Sequence, residues 1–338
     1  MTATAEEPTS SGSTDALRRV LRRHGWTVGV WLLLLLLIGW YATLIPSFGS
    51  FTMASIAKNS LPTVYLAVAQ SVAVIAGGID LGAGAMMVLG NSVSARLMDG
   101  QGVWMTGLIG VAVLAGAALL NGLVGWVIVR SRVPDIIVTL ATLFIFSGLA
   151  LMVLPTPGGG TSGGFRWIFT GSTSGVGTNF VPSLFALALP LAVVATWLRR
   201  TRRGLSLYAV GSDHDAAYHS GVNTGRAKIT AYAVAGAFAG LAGLAITAIT
   251  ASGDPRFTNA ANGTLNSVAA VVLGGIALSG GVGSVIGAVA AGVILFILNP
   301  ILSAMSIDPN TSQVIQGLLI VAVMMLAGLL ELRRRRTE

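Results

Sequence analysis

Long apolar runs separated by short polar joints dominate the chain. Ten such windows lie at Trp26–Leu44, Met53–Ala76, Leu81–Leu97, Val103–Val129, Ile136–Leu154, Phe180–Leu198, Ile229–Ile249, Leu265–Leu278, Val282–Met305 and Val314–Leu330. Most approach the roughly 20 apolar residues that a helix needs to cross a bilayer. The pattern predicts an all-α integral membrane protein of about ten transmembrane helices. Leu81–Leu97 and Leu265–Leu278 are short or glycine-rich, and read equally as full spans or as re-entrant, broken helices. In the first window the Leu32–Leu37 run alone favours insertion by roughly 2–4 kcal/mol, and Trp26, Trp40 and Tyr41 suit the interfaces. No small-residue cleavage site follows it, which argues against a removed signal peptide.

Composition sharpens this reading. The 338 residues are 54% hydrophobic and 9% charged, against about a quarter charged in soluble domains, which excludes a soluble globular enzyme. The net charge of +8 does not point to nucleic acid, because the basic residues are not spread over a face. They cluster at Arg18-Arg19 with Arg22-Arg23, Arg130 with Arg132, Arg199-Arg200 with Arg202-Arg203, and Arg333 to Arg336. Such clusters mark cytoplasmic loops. Placing them all inside needs an even number of crossings between clusters, and the windows supply four, two and four, with both termini cytoplasmic. The organisation that follows is a disordered cytoplasmic tail over residues 1–25, a transmembrane domain over 26–331 with a long cytoplasmic loop at 199–228, and a basic cytoplasmic tail at 332–338.

Catalytic chemistry is sparse. There is no cysteine, and the histidines are His24, His214 and His219; the last two stand five residues apart, poor spacing for one helical face, so no metal site is expected. The chain has no G-x-x-x-x-G-K-[ST] loop and only two lysines, Lys58 and Lys228, so ATP is not hydrolysed by this chain and no cofactor is expected. Two external loops stand out, Pro155–Asn179, read as a flexible linker or a docking surface, and Ala251–Gly263.

An internal echo supplies the strongest positive signal. AVIAGGIDLGAG at Ala73–Gly84 returns as AVVLGGIALSGG at Ala270–Gly281, with seven of twelve positions identical. Both copies join two apolar windows on the cytoplasmic side, so the repeat is parallel. Glycine-broken segments in matching halves, here at Gly77-Gly78 and Gly274-Gly275, point to a transport pathway or to close helix packing. Asp80 sits in the first copy, where a charge at the bilayer centre costs roughly 2.5–3.5 kcal/mol; it is expected near an interface or a wet cavity. Other polar groups in the windows are amides and hydroxyls. Asn59, Gln70, Asn91, Asn121, Asn266 and Ser267 are candidates for hydrogen-bonding a neutral polyhydroxylated solute, or for interhelical bonds of about 0.6 kcal/mol each.

Four collinear segments, VIAGGIDLGAGAMM from Val74, VPDIIVTLATLFIFSGL from Val133, GLSLYAVGSDHDAAYHSGVNTGRAKITAY from Gly204 and SVAAVVLGGIALSGGVGSVIGA from Ser267, resemble the ribose/xylose-type permeases of bacterial ABC sugar importers. The resemblance runs from about Leu44 to Leu330. It implies a multi-pass subunit of the bacterial inner membrane that dimerises, binds a cytoplasmic ABC ATPase pair that carries the ATP, and receives sugar from an extracytoplasmic binding protein. It also implies a short cytoplasmic coupling helix within Gly211-Ser-Asp-His-Asp-Ala-Ala-Tyr-His-Ser-Gly221. The residues agree: Ser212 or Asp213 suits a helix start, Asp215 favours the first turn, Ala216-Ala217 permits close packing, and Gly221 ends the helix. Relatives usually carry arginine after the Ala-Ala pair, where this chain has Tyr218 and His219. The expected function is translocation of a monosaccharide. The alternatives are the same machine carrying a nucleoside, a furanose or a branched-chain amino acid, and an ion-gradient-driven carrier that uses Asp80.

Overall fold

The computed structural model describes residues 12–175, 177–308, 310–318, 321–322 and 325, with side chains from residue 25 onward. Its named helices are α1 (Gly12–Leu44), α2 (Ser50–Asn59), α3 (Leu61–Ile75), α4 (Ala83–Met98), α5 (Val103–Ser131), α6 (Asp135–Val153), α7 (Gly163–Thr170), α8 (Val181–Arg200), α9 (Arg202–Ser212), α10 (His214–His219), α11 (Thr224–Thr250), α12 (Phe257–Leu273) and α13 (Val285–Ala304). Residues 310–318 are helical as well.

Among the described residues, six helices are long and apolar enough to cross a membrane: α1 from Gly25, α5, α6, α8, α11 and α13. The other windows account for the difference from ten. Met53–Ala76 breaks at Ser60, where Pro62 enters the first turn of α3 and cannot donate to the preceding turn. Leu81–Leu97 and Leu265–Leu278 become α4 and α12, 16 and 17 residues long. At 1.5 Å per residue these reach only about 25 Å. Most of Val314–Leu330, and the basic tail at 332–338, lie outside the described residues.

Three boundaries correct the sequence reading. The α1 helix begins at Gly12, inside the segment assigned to the tail; Thr14–His24 holds no proline or glycine and is rich in strong helix formers. The α12 helix begins at Phe257, so much of the predicted Ala251–Gly263 loop is helix. Pro155–Asn179 is no simple linker. It contains α7, capped by Ser162, with Phe165 and Phe169 buried. Arg166 donates from Nε to Ala248 O at 3.0 Å and from Nη2 to Ile249 O at 3.2 Å, placing a cation on the negative end of α11. Lys58 Nζ donates to Gly175 O at 2.5 Å, and Gly158 pairs with Gly253.

Helices α3, α4, α11, α12 and α13 form the core. Small residues let α11 approach its neighbours: a Cβ at Gly236 would overlap the Ala117 carbonyl of α5, and one at Gly243 the Met87 carbonyl of α4. The flanking helices α1, α5, α6 and α8 expose large apolar side chains such as Leu36, Leu119, Ile145 and Leu189, a surface suited to lipid or to another apolar subunit.

The connections collect at two ends. Trp26 Nε1 donates to Leu273 O, Gly281 N to Ile75 O, and Arg199 Nη2 to Ser284 Oγ, which gathers the start of the apolar part of α1, both glycine-broken joints and the α8–α11 connection at one end. Arg130, Arg132 and Arg199 to Arg203 belong to it. At the opposite end Gly160 N donates to Ala95 O, Asp254 N to Asn91 Oδ1, and Gly158 pairs with Gly253.

Candidate functional site

The two echo segments close their helices with the same hydrogen-bond motif, displaced by one residue. In the first, Gly78 N donates to Ala73 O and Gly77 N to Val74 O; in the second, Ile276 N donates to Val271 O and Gly275 N to Val272 O. The left-handed residue is Gly77 (φ +74°) in one and Gly275 (φ +82°) in the other. A Gly-Gly pair allows either position to take that conformation without a Cβ penalty.

These joints meet each other and the segment that leads to α10. Gly281 N donates to Ile75 O at 3.0 Å. Gly211, near the end of α9, lies between them: a Cβ there would overlap the Ile75 carbonyl and come within 2.6 Å of Gly281 N. A Cβ at Gly280 would in turn lie 2.9 Å from both Gly211 O and the Gly77 Cα. Three backbone segments from distant parts of the sequence are therefore in direct contact. Ser212 Oγ donates to Tyr208 O at 2.8 Å, and Tyr208 OH to Gly283 O at 3.3 Å.

The helix expected between Gly211 and Gly221 is present as α10. Asp213 is its cap, its Oδ1 accepting from Asp215 N at 3.0 Å and Ala216 N at 2.9 Å. Gly221 (φ +82°) follows its end. The alanine pair divides: Ala217 is buried against the body of the protein, whereas Asp215, Ala216, Tyr218 and His219 are exposed. Only Ala216 of the two is free to meet a partner.

Beside this junction lies a polar network that the sequence did not assemble. Asp80 is fully buried, not at a wet cavity. Its Oδ2 accepts from Asn121 Nδ2 at 2.8 Å and its Oδ1 from Gly82 N at 2.9 Å. Asn121 Nδ2 also donates to Tyr232 O at 3.1 Å. Tyr232 OH donates to Asp135 Oδ2 at 2.9 Å, and Lys228 Nζ pairs with Asp135 Oδ1 at 2.8 Å. The carboxamide of Gln70, oriented to satisfy both of its ends, donates to Asp80 O at 2.9 Å and accepts from Asp80 N at 3.2 Å. The network joins the first glycine joint to α3, α5, α6 and α11. Lys228 and Tyr232 were missed; their i, i+4 spacing at the start of α11, opposite an acid that opens α6, is the available signal.

The predicted solute residues separate into two kinds. Gln70, Asn91, Asn121 and Ser267 are buried and use their polar groups inside the protein: Asn91 donates to Thr247 Oγ1 and Ser252 O, and Ser267 to Thr264 O. Asn91 and Asn121 bond between helices, Gln70 holds the backbone of the first joint, and Ser267 bonds within α12; none of the four faces a solute. Asn59 bonds Ser55 within its own helix. Asn266, half-buried, lines an open cleft between α3, α4, α11 and α12.

The profile of the family described as branched-chain amino acid transport system / permease component matches residues 52–324, a stretch that contains both glycine joints, α10 and the buried network. The chain belongs to this permease family. Relatives of the permease include the ribose import permease protein of Escherichia coli, 29% identical over 85% of this chain and 89% of the relative. The ribose import permease protein of Bacillus subtilis is 32% identical over 77% and 80%, and the D-allose transport system permease protein of Escherichia coli is 30% identical over 89% and 91%. No solved structure matches the chain. The permease is a multi-pass membrane protein of several apolar helices.

Proposed function

We propose that the permease is the membrane-spanning subunit of an ATP-driven monosaccharide importer, working with a second permease subunit, a cytoplasmic ABC ATPase that binds the ATP, and an extracytoplasmic sugar-binding protein. It crosses the bacterial inner membrane ten times, with the short core helices counted as crossings and with both termini and the arginine-rich end cytoplasmic. The relatives named for ribose and D-allose support the cargo class. The contact of Gly211 with both glycine joints carries the mechanism.

Closure of the ATPase dimer pushes on α10. Because α9 ends between the two joints, displacement of α10 reaches the α3–α4 and α12–α13 connections directly. It also reaches α11, which starts at Thr224, and through the Lys228–Asp135 pair it reaches α6. Two packings of these helices then alternate the pathway between its ends. Selectivity rests chiefly with the binding protein.

Purification of the tagged permease in mild detergent from its host tests the partnership. Wild-type chain is expected to bring down a protein with Walker motifs, and Ala216→Arg, placed on the exposed face of α10, is expected to lose that protein and sugar uptake while still reaching the membrane. An Ala216→Arg chain that transports normally removes the coupling role of α10. Asp80→Asn separates the ATP-driven reading from the ion-gradient carrier. The asparagine keeps an oxygen for Gly82 N and loses the bond from Asn121 Nδ2, which still donates to Tyr232 O, so ATP-driven uptake is expected to stay within about threefold of wild type, the effect of one hydrogen bond at the low end of its net worth. Loss of gradient-dependent uptake in that variant favours the carrier.

A further inference from the structure

The cleft that Asn266 lines has a volume of about 240 Å³, just under the roughly 300–1,000 Å³ of pockets for drug-sized ligands. Asn259, Asn262 and Asn266 all face it from α12; at spacings of three and four they share one side of that helix. Thr63 of α3 adds a hydroxyl, while Met87 of α4 and Ile246 of α11 supply apolar wall. Among the described residues, no Asp, Glu, Lys or Arg lines it. The nearest acid by sequence, Asp254, receives Arg256 Nε at 2.9 and 2.8 Å; this guanidinium holds its carboxyl below the usual carboxylate range and neutralises its charge. Asn259 also helps to hold the Asp254 carboxyl below that range.

We propose that this cleft is the permease's own solute site and that it takes a neutral monosaccharide. The assignment rests on the sugar-importer reading above. Carboxamides offer donors and acceptors together, as a ring of hydroxyls requires, without the charge that an amino acid or a phosphate would need. The apolar walls suit the C–H faces of a sugar ring. The site runs along α12 from Asn259, near the helix start at the end opposite α10, to Asn266. Its wall is also tied to the moving parts: Thr264, two residues before Asn266, accepts from Gly84 N at 3.1 Å and donates to Leu81 O at 3.1 Å, bracing α12 against the start of α4 just beyond the first glycine joint. A shift of that joint therefore moves the wall of the cleft.

The test is uptake by host cells that express the permease in place of the native copy, with tritiated D-ribose, D-allose, D-fructose and D-galactose as probes. Asn262→Leu/Asn266→Leu is expected to lower the maximal rate for the sugar that wild-type cells accumulate by about tenfold, the loss of two hydrogen bonds. Half-saturation stays with the binding protein and is expected to hold. Asn262→Gln is expected to restore most of the rate lost in Asn262→Leu. Recovery of the ATPase with the tagged variant reads out folding. Asn262 is exposed, so Asn262→Leu alone serves if the double variant does not assemble, with a loss of about threefold expected. Unchanged rates in an assembled variant overturn the site. Wild-type cells that take up none of the four sugars overturn the sugar-importer reading, and this assignment with it.

Discussion

Gly211→Leu is expected to abolish uptake and to lower the permease's stability by roughly 3 kcal/mol, the upper end for overpacking. The new side chain meets the Ile75 carbonyl and Gly281 N, main-chain atoms that cannot rotate away. Admitting it means parting the two glycine joints and losing the Gly281 N to Ile75 O bond, with both groups left short of a partner. Gly221→Ala is the matched control. Gly221 has positive φ but open space around it, so its substitution costs only the backbone preference, about 1 kcal/mol. Thermal unfolding in detergent, read beside uptake, distinguishes the two. A Gly211→Leu chain as stable and active as Gly221→Ala removes the three-way junction from the mechanism.

The second large effect belongs to Lys228 and Asp135. Both side chains are largely shielded, with 22% and 12% of their surface exposed, so removing one leaves the other charge with poor solvation. Lys228→Met alone is expected to cost about 3 kcal/mol, the low end for breaking a buried pair. Lys228→Met with Asp135→Asn removes the stranded charge, and the pair of substitutions is expected to cost less than Lys228→Met by itself. A double-mutant cycle on unfolding in detergent measures the coupling. Additive losses would mean that the 2.8 Å contact contributes nothing to holding α6 against α11.

What the sequence revealed, and what it hid, follows from how local each signal is. The glycine pairs, the Asp213 cap and the Gly221 stop are short-range features, and each appears where its residues stand. The one-residue displacement between the two joints was not visible, because Gly-Gly satisfies either geometry. Polar side chains were harder. Gln70, Asn91 and Asn121 have the same chemistry as Asn266, and only the neighbours brought by distant segments decide whether an amide bonds a helix or faces a cleft. Asn259 and Asn262 escaped notice because the apolar window began at Leu265, which left the first two turns of α12 in a loop. The α7 segment was obscured by its glycines and serines; its order comes from Phe165, Phe169 and Arg166 docking on the end of α11. The span count diverged for a related reason: core helices buried in protein need less apolar length than helices facing lipid.

Energy source is the central question, and sugar uptake into proteoliposomes answers it most directly. The vesicles hold the permease with its co-purified ATPase and binding protein, and the ion gradients are collapsed with ionophores. ATP-driven import predicts that labelled sugar accumulates when ATP is supplied, stops when it is withheld, and is indifferent to the ionophores. Accumulation that ends with the gradients while ATP remains, or that proceeds without ATP, would contradict it.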